Sequence, residues 1–113
     1  MPKFLVVITG PTGIGKTSAG IKIARHYKTE IVSADSRQLF KELKIGTAIP
    51  SKNELSLVKH HFIQSYSLFE NYNASRYETE AIQLLNQLFE KYKLAVMVGG
   101  SMLYIDAVCK GID

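Results

Sequence analysis

Eight residues near the start of the chain, Gly10-Pro11-Thr12-Gly13-Ile14-Gly15-Lys16-Thr17, follow the pattern G-x-x-x-x-G-K-[ST], with Gly10, Gly15, Lys16 and Thr17 at the fixed positions. Each fixed residue has a physical job. Glycines permit positive φ and a close backbone approach, so successive N–H groups can point at one anion. Lys16 adds a mobile cation, and the Thr17 hydroxyl is placed to ligate Mg²⁺. A helix beginning there adds its positive dipole end. The bland alternative is a Gly-rich turn that binds nothing. Against it stand the β-branched run before the loop and the amphipathic stretch after it, the context in which such a loop binds a diphosphate or triphosphate. The loop alone leaves three chemistries open: hydrolysis of a nucleotide, transfer of a phosphoryl group, or departure of a diphosphate in some other reaction.

A second candidate narrows the choice. A nucleotide hydrolase of this kind ordinarily has an acidic residue at the end of another core strand to hold Mg²⁺ and water. Here the apolar run Leu94–Val98 ends in Gly99-Gly100-Ser101, with no carboxylate. The available carboxylate is Asp35, just after the short β-type run 30–33. In an open parallel sheet the carboxyl ends of the strands face one crevice. Asp35, the phosphate loop and Gly99-Gly100 are therefore expected to meet there. Asp35 would act as a general base or in a metal shell; its ordinary structural reading is an Asx turn or helix N-cap with Ser36. The pair His60-His61 reads as packing or hydrogen bonding rather than metal ligation. Cys109, the single cysteine, excludes an internal disulfide and reads as a small buried apolar residue.

The elements that must position these groups alternate between strand and helix. Phe4–Ile8 has the pattern of a strand covered on both faces. A helix is expected from Lys16 to Tyr27, a strand over 30–33, and a loop running into a helical turn from Asp35. Pro50 biases Ile49 away from helix. Ser51 and Glu54 form a capping box for a short helix to Lys59, and a short strand is expected over 61–65. The clearest helix runs from Ala74 to Tyr92: Tyr77, Ala81, Leu84, Leu85, Leu88, Phe89 and Tyr92 share one face. Asn73 caps it, or Ser75 with Glu78 in a second capping box. Leu94–Val98 is another buried-type strand, and a last helix opens at Ser101. Such alternation means a parallel α/β sheet, and with this loop a P-loop NTPase-like three-layer fold, in one small domain of 113 residues.

Charge is uneven. Residues 1–60 carry ten Lys and Arg against four Asp and Glu, whereas residues 61–113 carry four against six. The positive excess shares its half with the phosphate loop, which suits an anionic ligand or RNA, although a solvated basic face is the commoner meaning. Phe4–Ile8 is too short for a signal peptide or a membrane span, and the chain reads as cytoplasmic.

Four stretches, GPTGIGKT, SADSRQLFKELKIGTAIPS, HHF and VMVGGSMLYIDAV, come in the order and at the spacing of bacterial-type tRNA dimethylallyltransferases, also called tRNA isopentenyltransferases. The resemblance covers essentially the whole chain. The phosphate loop is common to many families; Ala34-Asp35-Ser36, Gly46-Thr47-Ala48 with Pro50, and Gly99-Gly100 with Leu103-Tyr104 are more specific. The resemblance implies transfer of a dimethylallyl group from dimethylallyl diphosphate to N6 of an adenosine next to the anticodon. It implies that Gly10–Thr17 binds the diphosphate, with Thr12–Thr17 closest, and that Thr17 helps hold Mg²⁺. Asp35 would take the proton from N6; Asp35, Ser36, Arg37 and Gln38 would contact the tRNA anticodon stem-loop; Gly46, Thr47, Gly99 and Gly100 would line the substrate crevice. The target base must leave its stack to reach that crevice.

Departures from the family pattern are Ile14 in place of a small residue, Ile49 in place of Lys, Lys59 in place of Pro, and Ser101 in place of Thr. Members of that family are more than twice as long, so the 113 residues read as the N-terminal portion of an enzyme that is monomeric when full length, with little turnover on their own. With the first strand central in such folds, Phe4–Ile8 is expected to show an unpaired edge. Two other enzymes use the same loop: a small-molecule or nucleoside kinase, with Asp35 deprotonating a hydroxyl, and an adenylate isopentenyltransferase acting on free nucleotide. A non-catalytic nucleotide-binding module is the remaining class.

Overall fold

A computed structural model of the chain describes residues 3–9, 16–35, 39, 50–63, 66 and 72–111. Among them are four strands, β1 (Phe4–Thr9), β2 (Ile31–Ser33), β3 (His60–His61) and β4 (Leu94–Gly99), and four helices, α1 (Lys16–His26), α2 (Lys52–Leu57), α3 (Ala74–Lys91) and α4 (Met102–Gly111). The strands form one sheet in the order β1-β4-β2-β3 with every pairing parallel. Parallel pairing requires crossovers, and the chain supplies them with α1 between β1 and β2 and α3 between β3 and β4.

Alternation along the strands sorts the core into two layers, because successive side chains point to opposite faces. Ala95 and Met97 of β4 join Val32, Tyr77, Ala81, Leu85, Leu88, Tyr104, Ile105 and Val108 on the face covered by α3 and α4. Val96 and Val98 join Ile31 with Ile21 and Ala24 of α1 on the other face. Helix, sheet, helix is the expected three-layer arrangement. β4 is central and Ala95–Gly99 are all buried. A Cβ on Gly20 would run into Val98 at 2.6 Å, so this glycine sets how closely α1 lies on β4.

Local chemistry places the element ends. Ser51 caps α2 in a full capping box: its hydroxyl accepts from the Glu54 amide at 3.1 Å, and the Glu54 carboxylate accepts from the Ser51 amide at 2.9 Å. Asn73 caps α3, accepting from the Arg76 amide at 2.9 Å, so the Asn73 option, not Ser75 with Glu78, starts this helix. β3 comes one residue earlier than expected and is shorter. β1 pairs with β4 alone among the described residues. Its faces are covered only partly: Leu5 and Val7 touch one core and Ile8 the other, while Phe4 is 57% exposed.

Cys109 is exposed, not buried. On α4 the buried positions are Tyr104, Ile105 and Val108; Cys109 follows Val108 by about 100° of helical rotation and so leaves that face.

Candidate functional site

The carboxyl edge of the sheet is where the candidate residues gather. β1 ends at Thr9, paired with Gly99 at the end of β4. β2 ends at Ser33, paired with Val98. Beyond these pairs the chain ends lock together. The Ala34 amide donates to the Val98 carbonyl at 2.8 Å, and the Ser101 amide donates to the Ala34 carbonyl at 3.1 Å. A Cβ on Gly99 would overlap the Ala34 carbonyl, so only glycine lets the two strand ends approach this closely. Asp35 follows directly, half-buried, and its carbonyl accepts from the Leu39 amide at 3.1 Å, the spacing of one helical turn. Asp35 is thus the residue after Ala34, whose backbone bonds to Val98 and Ser101 and meets Gly99, at the carboxyl edge of the sheet.

The start of α1 lies at the same edge, where Thr17 shares a cavity with Ser33 and Val98. Lys16 and Thr17 are its first residues, and its first turn contains no acidic side chain. Its N-terminal end therefore keeps its positive dipole character unneutralised by that turn. Thr17 shares a small cavity with Ile31, Ser33, Pro50, His60 and Val98. Lys16, Thr17, Asp35, Gly99 and Gly100 are accordingly found along one edge of the sheet. Gly10, Pro11, Thr12, Gly13, Ile14, Gly15, Ser36, Arg37, Gln38, Gly46 and Thr47 lie outside the described residues.

Several supporting groups were not read as such from sequence. The Tyr77 hydroxyl donates to the Ser33 carbonyl at 2.6 Å from a fully buried ring. It fixes the end of β2 two residues before Asp35. Tyr77 stacks on Tyr104 at 4.3 Å and meets Phe62 at 5.1 Å. Burial, and the neighbouring Tyr104, push the Tyr77 hydroxyl well above its ordinary range, so it stays a donor. Its place on the apolar face of α3 was legible; the partner of its hydroxyl, 44 residues away, was not.

Farther from the edge, Tyr66 and Tyr72 stack at 4.3 Å, both hydroxyls donate to Glu80, and the Arg76 guanidinium lies about 5 Å from each ring. This cluster ties Tyr66 and Tyr72 to α3. The histidine pair makes hydrogen bonds: His60 Nδ1 to the Val58 carbonyl at 2.8 Å and His61 Nε2 to Glu30 at 2.7 Å.

The described residues offer hydroxyl and carboxylate oxygens at the crevice. Such hard donors suit Mg²⁺, which is commonly bound by one or two protein oxygens together with substrate phosphates. Among the described residues no helix is long and apolar enough to cross a membrane.

Comparison with known proteins agrees with this geometry. The sequence profile of the IPP transferase family matches residues 38–113. The chain is 58% identical over 113 residues to the tRNA dimethylallyltransferase of Christiangramia forsetii, covering 100% of this chain and 37% of that protein. It is 55% identical over 111 residues to the tRNA dimethylallyltransferase of Flavobacterium johnsoniae, covering 98% and 36%. Among solved structures, the full-length tRNA isopentenylpyrophosphate transferase of Bacillus halodurans superposes with a TM-score of 0.88 at 31% identity, over 100% of this chain and 37% of that one. A eukaryotic dimethylallyltransferase acting on tRNA superposes with a TM-score of 0.86 at 29% identity, over 98% and 28%. The chain spans little more than a third of the length of the curated relatives it matches.

Proposed function

Because the chain belongs to the IPP transferase family, with its P-loop NTPase-like fold, we propose that it carries the phosphate-binding core of an enzyme that prenylates tRNA. The reaction is transfer of a dimethylallyl group from dimethylallyl diphosphate to N6 of an adenosine next to the anticodon. The N6 nitrogen attacks the allylic carbon, the carbon–oxygen bond to the diphosphate breaks, and the amine proton passes to the Asp35 carboxylate. An exocyclic amine is barely basic, so a positioned carboxylate is worth about 10²–10⁴-fold.

The observation that carries this reading is the locked end of β2, where Ala34 bonds to both Val98 and Ser101 and Gly99 admits the close approach. That lock constrains the backbone at Asp35, and Lys16 and Thr17 start α1 at the same edge of the sheet. In this reading Gly10–Thr17 receives the diphosphate, and its backbone N–H groups and Lys16 stabilise the charge that develops as the diphosphate leaves. Thr17 contributes an oxygen to Mg²⁺, which when bound neutralises part of that charge. The family resemblance further assigns tRNA contact to Ser36, Arg37 and Gln38, and the substrate crevice to Gly46, Thr47, Gly99 and Gly100. The fold has no further need of an acidic residue after β4, because no water has to be activated.

The test is turnover in a chimera that continues this chain with the remainder of the Christiangramia forsetii relative. Asp35→Asn is expected to lower prenyl transfer by about 10²-fold or more while the affinity for dimethylallyl diphosphate stays the same. Full retained transfer would remove Asp35 as the base. In the same assay the 113 residues alone are expected to give little or no product.

A further inference from the structure

Beside the start of α1 lies a small cavity lined, among the described residues, by Thr17, Ile31, Ser33, Pro50, His60 and Val98. About 10 Å³ of it is open to the centre of a water molecule, which is room for one water. One of the lining residues, His60, carries a polar atom with an unmet need. His60 Nδ1 lies 2.8 Å from the Val58 carbonyl oxygen. A carbonyl only accepts, so Nδ1 carries the proton and Nε2 of the neutral ring is an acceptor. That Nε2 is buried and has no hydrogen-bond partner among the described residues. Burial holds the imidazole below its ordinary value, in keeping with a neutral ring. A buried, unpartnered acceptor on a residue that lines a cavity of this size is the setting in which an internal water is retained.

We propose that His60 is a positioning residue for Thr17, acting through one water that donates to His60 Nε2 and accepts from the Thr17 hydroxyl. The inference rests on the reading of Gly10–Thr17 as a Mg²⁺-dependent diphosphate site. A threonine hydroxyl has one proton and two lone pairs. An acceptor behind it draws the proton inward and turns a lone pair outward, the orientation a cation needs. The side chain of His60 thus decides which way Thr17 presents its oxygen, without itself touching the substrate. Ser33 lines the same wall, so the cavity joins the start of α1 to the strand end that holds Asp35.

The test pairs two substitutions with opposite chemistry. In His60→Asn the side chain still reaches the Val58 carbonyl but has nothing at the Nε2 position. In His60→Gln the amide reaches the Nε2 position and keeps an acceptor there. The probe is inorganic pyrophosphate, titrated calorimetrically with and without Mg²⁺, alongside nitrogen NMR of the histidine-labelled wild type. The expected result is an Nδ1–H tautomer for His60 and Mg²⁺-dependent affinity about five-fold weaker in His60→Asn. His60→Gln stays within about two-fold of wild type, and all three proteins agree without Mg²⁺. An Nε2–H tautomer, unchanged affinity in His60→Asn, or loss in His60→Gln alone overturns the inference, the last by showing that only the Val58 contact matters. Wild type that shows no Mg²⁺-dependent pyrophosphate binding overturns the phosphate-site reading itself, and this inference with it.

Discussion

Gly99 and Ala34 occupy a contact that tolerates no added atom, and that contact decides where Asp35 stands. In Gly99→Ala the new methyl group would overlap the Ala34 carbonyl, and backbone on both sides would have to move. Overpacking of this kind costs about 1–3 kcal/mol. Urea unfolding is expected to show that loss, and an unchanged midpoint would mean the strand ends are not locked as described. The places of Lys16, Thr17 and Asp35 at the carboxyl edge of the sheet were legible in the sequence. Lys16 and Thr17 stand at fixed positions of a phosphate motif, and Asp35 is the carboxylate that a parallel sheet brings to its carboxyl edge. Residues whose job depends on a distant partner were not legible. Nothing near Tyr77 announces that its hydroxyl will meet the Ser33 carbonyl, and nothing near His60 announces that its Nε2 will be buried without a partner on a residue sharing a cavity with Thr17. Cys109 was misread for a related reason: its type suggests burial, but the helix register at Val108 turns it to solvent.

At the scale of elements, the start of β2 and the strand β3 are held by a titratable cluster. Glu30 accepts from His61 Nε2 at 2.7 Å and from the Tyr92 hydroxyl at 2.8 Å. Desolvation raises the Glu30 carboxyl, but these hydrogen bonds and the charges of His61 and Lys59 outweigh it and hold the group below its ordinary value of 4.5. A carboxyl depressed on folding contributes stability that is present above 4.5 and is lost as pH falls through its folded value. His60, depressed mainly by burial from 6.5, adds a loss of the same sign that begins as pH falls below 6.5. Stability is therefore expected to decline as pH falls from 7 towards 3, through His60 below 6.5 and through Glu30 below 4.5, and Glu30→Gln to flatten the part below 4.5. Urea midpoints across this range check it; a Glu30→Gln curve parallel to wild type would contradict it. Helix starts were legible here, because Ser51 and Asn73 cap through side chains within three residues of the amides they satisfy. The length of β3 was not, because two residues of pairing are set by their fit against Ile31 and Val32.

For the whole molecule, the sheet order carries the main consequence. β4 inserts between β1 and β2, an arrangement that alternating strands and helices allow but do not specify. It gives both faces of the sheet a helical layer and leaves β1 paired on one side among the described residues. A strand edge of this kind invites pairing with another chain. The 113 residues are expected to associate as concentration rises, and Phe4→Lys to reduce that association, since Phe4 is 57% exposed at the start of β1. Sedimentation velocity checks this, and monomers at all concentrations for the wild type would contradict it. On the proposed reading, the loop Gly10–Thr17 holds the diphosphate of a prenyl donor, kept in place by Lys16 and Thr17. The most direct measurement is thermal unfolding of this chain with Mg²⁺ and either dimethylallyl diphosphate or ATP. A ligand that binds only the folded chain stabilises it by about 2.7 kcal/mol at a hundred times its dissociation constant. Dimethylallyl diphosphate is predicted to raise the melting temperature and ATP to leave it nearly unchanged; stabilisation by ATP with none by dimethylallyl diphosphate would contradict the account.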